Sequence, residues 1–423
     1  MRIFCDLHIH SKYSRAVSRD MDVPHLDQWA KVKGIGLMGT GDFTHPAWLE
    51  SLKAELAEDG SGILSPRSGG PTRFILTVEI ACIYSRGGKV RRIHTVTVMP
   101  DFRSVDTFNA RLSAIGNLRS DGRPILGLDA EELVKIAMDV NPRALVIPAH
   151  IWTPWFSLFG SQSGFDTVEE CFGAMTPHIV VAETGLSSDP AMNWRLSQLD
   201  TIGIVSFSDA HSPKPNKMGR EATELELEAL TYDNVRAALG SQALIAAGQR
   251  PKNIIASTIE FYPEEGKYHW DGHRDHNIRM PASDAKKRKD LCPTCGTRMT
   301  IGVEHRVDDL ADRPASYQPP NRPPFQRLIP LEEIIGEALG RKPGTKGVGA
   351  VYTSLTALAD EFTILRSMPI SDIAAASSKL IGEGVRRVRA GQLHIEPGYD
   401  GVFGTVHIFT DQEREDAVQK TLF

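Results

Sequence analysis

Short apolar runs that end in a histidine or an acid recur through the first half of the chain. Ile3-Phe4-Cys5-Asp6-Leu7-His8-Ile9-His10 is the first. Ile35 to Gly41 leads to Asp42, with His45 close behind, and Phe74 to Val78 leads to Glu79. Arg92 to Val98 carries His94 inside the run, and Ala144 to Ala149 leads to His150. Ile179 to Ala182 leads to Glu183, and Gly203 to Ser208 leads to Asp209-Ala210-His211. Between these runs, Val23 to Val32, Asp129 to Met138 and Tyr232 to Leu239 have helical spacing. Strand, polar residue at its C-terminal end, helix, repeated, is the layout of a β/α barrel with its chemistry at the C-terminal mouth.

The first run sharpens this. Side chains alternate along a strand, so Asp6, His8 and His10 share one face, and Ile3, Cys5, Leu7 and Ile9 share the other. Three ionisable groups side by side are unfavourable unless a cation lies between them. A single histidine at a strand end is ordinarily a structural residue, and His25 and His178 read that way. Six strand ends together are not explained by packing. His8, His10, Glu79, His94, His150 and Asp209 therefore read as metal ligands, with Asp42, His45 and His211 as further candidates. Glu79, His150, Asp209 and His211 form the catalytic set. Asp6 reads as a residue that orients a ligand. Glu183 reads as a ligand, a base or a buried acid paired with an arginine.

Past residue 260 the character changes. Cys292-Pro-Thr-Cys295-Gly296 is a knuckle turn that presents two thiolates to one zinc. The other two ligands come from His269, His273 and His276, with His276 first, His273 second and His305 a distant fourth. Such a zinc is structural, replacing a core that so short a segment cannot build. The basic run Lys286-Lys287-Arg288-Lys289 lies just before it. Residues 314–330 are Pro-rich and read as a semi-rigid linker. Leu331 to Leu339, Val351 to Met368 and Ile370 to Arg389 follow with helical periodicity. The domains predicted are 1–255 for the barrel, 256–313 for the zinc-binding unit, 314–330 for the linker and 331–423 for a helical unit. Arg386, Arg387 and Arg389, with Arg341 and Lys342, read either as a solvated face or as a phosphate grip. Gly344-Thr-Lys-Gly is not a Walker A loop.

Composition fits an intracellular enzyme. The chain has 423 residues and a 41% hydrophobic fraction, enough for two or three domains. Five cysteines, two of them in Cys-x-x-Cys, argue against a disulfide framework and for a reducing compartment. Cys5, Cys82 and Cys171 read as small core residues. No run is long and apolar enough to span a bilayer, and no signal peptide is seen, so a cytoplasmic, nucleoid-associated protein is expected. The net charge of −5 places any nucleic-acid site in local basic patches.

The residues Asp6-Leu-His8-Ile-His10, Gly41-Asp42-Phe-Thr-His45, Glu79, His94, His150 and Ser208-Asp209-Ala-His211 resemble the PHP family of metal-dependent phosphoesterases. The resemblance implies a distorted (β/α)7 barrel holding two or three catalytic divalent metals (Zn, Mn or Mg); mixed imidazole and carboxylate ligands suit Zn, Mn or Fe better than Mg alone. It implies that His8, His10, Glu79 and Asp209 hold one metal, and that Glu79, His94 and His150 hold a second. His211, with Asp42 or His45, would serve a third. The usual Asp-His pair is Asp42-Phe43 here, with the histidine displaced to 45.

With Gly39-Thr-Gly-Asp-Phe-Thr-His-Pro, Ala149-His-Ile-Trp-Thr-Pro-Trp-Phe, Gly266-Lys-Tyr-His-Trp-Asp-Gly-His-Arg, Gly302-Val-Glu-His-Arg-Val and Pro397-Gly-Tyr-Asp-Gly-Val-Phe-Gly added, the chain resembles the endonuclease Q family of PHP-domain DNA repair enzymes. A cysteine is expected after Asp271-Gly-His-Arg, and Asp275-His276 stands there instead. The implied activity is cleavage of DNA on the 5′ side of uracil, hypoxanthine, xanthine or an abasic site, with the base extruded from the stack. Trp152, Trp155, Phe156 and Phe159, followed by Ser161-Gln162-Ser163-Gly164, then read as a lesion pocket or a wedge, or alternatively as packing at the barrel mouth. Two other functions are weighed: a PHP-type small-molecule phosphatase and a catalytically silent DNA-binding protein. DNA is the expected partner, with no membrane role. A sliding clamp is left open, since no clear clamp-binding box stands near the apolar end Thr421-Leu422-Phe423.

Overall fold

The computed structural model describes residues 1–414; the end Thr421-Leu422-Phe423 lies outside the described residues. The strand Arg2–Asp6 is central. It pairs in parallel with Ile35–Gly39 and antiparallel with Ala222–Glu226. Ile35–Gly39 pairs in parallel with the long strand Arg73–Arg86, which turns back antiparallel as Lys89–Met99. Leu145–Pro148 pairs with that strand in turn. Val181–Glu183 and Gly203–Val205 form a parallel pair between Leu145–Pro148 and Ile254–Glu260, closing the ring. The antiparallel pairings among these strands depart from a regular parallel barrel, a distortion of the kind the family resemblance implies.

One apolar cluster draws Leu7, Leu37, Ile75, Val96, Ile147, Val181, Val205, Leu225 and Ile255 from the successive strands, and so fills the barrel. A second lies between the strands and the outer helices and continues into the helical unit. The first outer helix, Val23–Lys33, starts where the Asp22 side chain accepts from the His25 N–H and Pro24 opens the first turn. It ends at Gly34, whose φ of +93° only glycine adopts easily.

Ile254–Glu260 pairs antiparallel with Ala222–Glu226, so the barrel sheet runs past residue 255. Phe325–Arg327, inside the Pro-rich stretch, adds a further parallel strand beside it. The two long C-terminal periodic stretches are each broken. Helices Lys346–Thr356 and Glu361–Arg366 separate where Asp360 caps the second through the Thr363 N–H. Ile370–Ala376 and Lys379–Arg389 separate where Ser378 caps the Ile381 N–H. Short polar side chains compete with the helix for backbone donors, and apolar periodicity does not record that competition.

The helical unit docks through a buried ion pair. Lys33 Nζ donates to Glu361 Oε1 at 2.8 Å and to the Pro215 carbonyl at 2.9 Å. Glu361 also accepts from the Tyr352 hydroxyl at 2.6 Å and the Leu331 N–H at 3.0 Å. The terminal arginines have partners within this unit. Arg386 and Arg387 pair with Glu383, Arg387 also with Glu413, and Arg389 donates to the carbonyls of Ile364, Leu365 and Met368. Among the described residues, no helix is long and apolar enough to cross a membrane.

Candidate metal centre

The regular strand ends at Asp6, and the two histidines ride on the extended chain beyond it, pinned by the bridge between Ile9 and Ala210. Glu79 stands within the long strand opposite Val96, and His94 lies in the neighbouring strand opposite Ala81. His150 and Asp209 follow the ends of Leu145–Pro148 and Gly203–Val205. Asp42, His150, Phe156 and Asp209 all have positive φ, between +31° and +61°. Such backbone is costly for non-glycine residues, and it clusters at this mouth. At His150 the backbone is held by its N–H, which donates to Glu183 Oε2 at 2.7 Å. Gly185 packs so closely there that a Cβ would lie 2.3 Å from His150 Cβ.

Two donor groups result: His8, His10, Glu79 and Asp209, and Glu79, His94 and His150, with the donor atoms of each within 4.8 Å of one another. Glu79 is common to both. Its Oε1 lies 2.5 Å from His94 Nδ1 and 3.0 Å from His150 Nε2. Its Oε2 lies 3.2 Å from His10 Nε2 and 3.6 Å from His8 Nε2. Asp209 Oδ1 lies 3.0 Å from His10 Nε2. His8 Nε2 is buried with no hydrogen-bond partner. An orphaned imidazole nitrogen aimed at two carboxylates costs about 1–3 kcal/mol unless a cation meets it. The donor set, nitrogen and carboxylate oxygen around one bridging acid, fits a pair of divalent metals.

Carboxylates behind the histidines set their tautomers. His8 Nδ1 donates to Glu183, 2.9 Å from each oxygen, and His10 Nδ1 donates to Asp42 at 3.2 Å. Both Nε2 atoms are thereby left for a metal. Burial alone would push the His8 imidazole down, but Glu183, Asp209 and Glu79 hold it well above its ordinary value. Burial takes His94 down to about 4, despite the pull of Glu79, keeping this ring neutral as a ligand must be. Glu79 is held well below the usual carboxylate range, its burial outweighed by His94 and His8.

The remaining candidates fall around these groups. Asp6 accepts from Ser208 N–H at 3.0 Å and Gly219 N–H at 3.2 Å, and so fixes the segment carrying Asp209. Asp42 accepts from Ser11 N–H at 2.6 Å and from the Ser11 and Ser14 hydroxyls. It lies outside both donor groups. So does His45, which stacks on Tyr13 with ring centres 4.5 Å apart. His211 sits at the rim, its ring 4.6 Å from His10 and its Nδ1 donating to the Asp209 carbonyl at 2.8 Å. Glu183 pairs with His8 rather than with an arginine. The residue that sequence reasoning missed is Arg123, which donates to Glu79 Oε2 at 3.0 Å. It comes from an irregular segment with no periodicity, and nothing in the sequence marks it.

The aromatic loop divides. Trp152 is buried, donates through Nε1 to Asn193 Oδ1 at 2.8 Å and packs on Phe159. It is a core residue, not a substrate-facing one. Ser163 is also buried and accepts from the Phe156 N–H, bracing the loop rather than meeting substrate. Phe156 covers His94 at a ring distance of 4.7 Å. Trp155 is 37% exposed and meets Tyr268 edge-on at 5.5 Å. Thr153, Trp155, Tyr268 and His269 line a cavity of about 150 Å³. Ser161 opens on a second cavity, of about 520 Å³, with Arg86, Lys89, Arg91 and Arg306.

Further along, His273, His276, Cys292 and Cys295 converge. His276 Nδ1 lies 3.6 Å from Cys292 Sγ, His273 Nδ1 lies 3.4 Å from Cys295 Sγ, and the two Nδ1 atoms are 3.1 Å apart. A tetrahedral zinc with bonds of about 2.0 Å to nitrogen and 2.3 Å to sulfur sets its ligands roughly 3.3–3.8 Å apart. The two nitrogen–sulfur separations fall in that range, and the nitrogen pair lies just short of it. His305 is turned away onto Asp271 at 2.5 Å, and His269 is buried elsewhere. In the basic run, Lys286 and Lys287 pair with Asp309 and Asp284, while Arg288 and Lys289 are exposed.

Known proteins share this fold. The lesion-specific endonuclease PfuEndoQ from Pyrococcus furiosus superposes with a TM-score of 0.84 at 30% identity, over 98% of this chain and 99% of that one. An endonuclease Q solved with a 27-mer duplex carrying an abasic lesion at its active site superposes equally well at 31% identity, over 99% of this chain and all of that one. The chain belongs to the endonuclease Q family. Membership in that family makes it a DNA endonuclease, a hydrolase. The uncharacterized protein YqxK of Bacillus subtilis is 28% identical over 96% of this chain and 99% of its own length. The uncharacterized protein MJ0043 of Methanocaldococcus jannaschii is 29% identical over 60% of this chain, which covers only 31% of that longer protein. The family model of the MJ0043 C-terminal domain matches residues 330–392.

Proposed function

We propose that the chain incises DNA on the 5′ side of a deaminated base or an abasic site. The observation that carries this is Glu79 shared by two donor groups, in a chain similar end to end to an endonuclease Q solved on abasic DNA. His8, His10, Glu79 and Asp209 would hold one divalent metal, and Glu79, His94 and His150 another. When bound, such a pair supplies an acidified water and counter-charge for the leaving oxygen. No serine or cysteine nucleophile is then needed, in keeping with the burial of Cys5, Cys82 and Cys171. Arg123, partly exposed above Glu79, is placed to grip a non-bridging phosphate oxygen. His211, fixed at Nδ1, keeps Nε2 as the atom that gives or takes a proton at the rim.

The cavity between Trp155 and Tyr268 suits an extruded base, with aromatic edges and the buried, unpartnered Nδ1 of His269. The His273–His276–Cys292–Cys295 cluster would hold a structural zinc that stiffens the segment, and Arg288 and Lys289 would meet the duplex backbone.

A nicking assay with Zn²⁺, Mn²⁺ or Mg²⁺ tests this on end-labelled duplexes carrying uracil, hypoxanthine, an abasic site or no lesion. Incision just 5′ of the lesion, lost in His8→Ala, is expected. No incision, with hydrolysis of a small phosphate monoester instead, would move the chain to the phosphatases.

A further inference from the structure

The most exposed aromatic residue among those described is Phe403, at 68%. It lies in the hairpin whose strands are His394–Glu396 and Thr405–His407. At the hairpin's tip Asp400 and Gly401 both take positive φ, and Tyr399 and Val402 exchange backbone hydrogen bonds of 3.0 and 2.7 Å across them. Asp-Gly is the pair such a tight turn favours.

The tip is not free to move. Asp400 accepts from the Arg274 N–H at 2.8 Å and the Thr300 hydroxyl at 2.6 Å. Gly401 N–H donates to the Lys267 carbonyl at 2.9 Å, and Trp270 N–H donates to the Gly398 carbonyl at 2.9 Å. The Tyr399 hydroxyl donates to Asn277 Oδ1 at 2.7 Å. The fold thus fastens the turn firmly to the segment beside the zinc cluster, yet it leaves Phe403 and its neighbour Val402, 40% exposed, in water. An exposed ring contributes little to folding, so the anchoring serves presentation.

The surroundings indicate what it is presented to. Lys267 Nζ lies 4.5 Å from the Phe403 ring centre. The Arg274 side chain, 64% exposed, reaches the other side of the turn against Gly401. Two exposed cations beside a rigid apolar tip, Lys267 and Arg274, the latter 3.8 Å from exposed Asp275, complement a duplex, with phosphates outside and base faces within. The tip is also tied to the chemistry. Tyr268, next to Lys267, meets Trp155, and Thr153 Oγ1 lies 3.2 Å from His150 Nδ1.

We infer that the Asp400–Gly401 hairpin is a duplex wedge: Phe403, with Val402, inserts between base pairs beside the lesion, and Lys267 and Arg274 take the adjacent phosphates. This rests on the endonuclease reading and adds to it the element that holds the helix open while the base is out.

The test uses the full-length protein and a duplex with 2-aminopurine next to the lesion. Wild-type protein should raise 2-aminopurine fluorescence on binding, and Phe403→Ala should abolish the rise. Incision of the intact duplex should fall about tenfold, the scale of one lost stacking contact, and recover on a duplex whose lesion sits in a pre-opened bubble. Phe403→Leu should retain part of both signals. Wild-type-like opening and incision by Phe403→Ala overturns the wedge and leaves the endonuclease standing. So does a loss of equal size on duplex and bubble. Wild-type protein that incises neither substrate overturns the endonuclease reading itself.

Discussion

Both carboxylate oxygens of Glu183 lie 2.9 Å from Nδ1 of His8, and one of them also receives the backbone N–H of His150. A single buried acid therefore orients a ligand in each of the two donor groups. Glu183→Gln keeps the volume but removes the charge that fixes the His8 tautomer. Metal affinity should fall about 10- to 100-fold, the usual loss for such a supporting contact. Titration of the metal-free protein with Zn²⁺ or Mn²⁺, followed by calorimetry, measures it, and unchanged affinity in both sites refutes the role.

Arg123 touches Glu79, which the two donor groups share, and itself lies in neither group. Arg123→Gln should lower kcat/KM by about 10²-fold, the scale of one lost charge-stabilising donor, while the bound metal content stays at the wild-type value. Metal analysis alongside kinetics separates the two. Metal lost in step with activity would show that the arginine only props the site.

The four donors proposed to hold zinc, His273, His276, Cys292 and Cys295, predict a ligand pattern. His276→Ala should remove one zinc per chain, measured by elemental analysis, and lower the thermal stability of the 271–305 segment. His276→Cys should keep the zinc, because a thiolate serves the same tetrahedral position. Equal zinc in His276→Ala and the parent would place the ion elsewhere.

Glu260 is buried and pushed up to about 8, chiefly by desolvation, with the Thr258 and Ser206 hydroxyls opposing and Asp189 adding to the rise. Neighbouring Glu221 is raised as well, by burial first and then by Glu260. A carboxyl raised in the folded state favours the protonated form there. Its stabilising effect is full below the unfolded value near 4.5 and fades as pH rises through about 8. Glu260→Gln should therefore flatten the fall in melting temperature between pH 5 and 8.5 relative to the parent, in chelator. Parallel curves for the two proteins would assign that fall to other groups.

Much of the site was legible in the sequence because strand chemistry is periodic. His8, His10, Glu79, His94, His150 and Asp209 each sit in or at the end of an apolar run, and the fold brings all six together. Cys292-Pro-Thr-Cys295 and the pair His273 and His276 were legible for a similar reason: a knuckle turn fixes its donors locally. Trp152 and Trp155 show the limit. Three residues apart in one loop, they look alike in sequence, yet one is buried against Asn193 and the other faces Tyr268 from a distant segment.

What the sequence determined by itself is what local backbone geometry dictates: the strands, their polar ends and the cysteine turn. Only the tertiary structure decided which groups meet across long separations. Glu183 on His8, Arg123 on Glu79, Lys33 on Glu361 and the 397–404 turn against the zinc segment are all of this kind. Such contacts depend on where closure of the barrel brings each segment, and an irregular loop or a lone charge carries no period from which that place can be read.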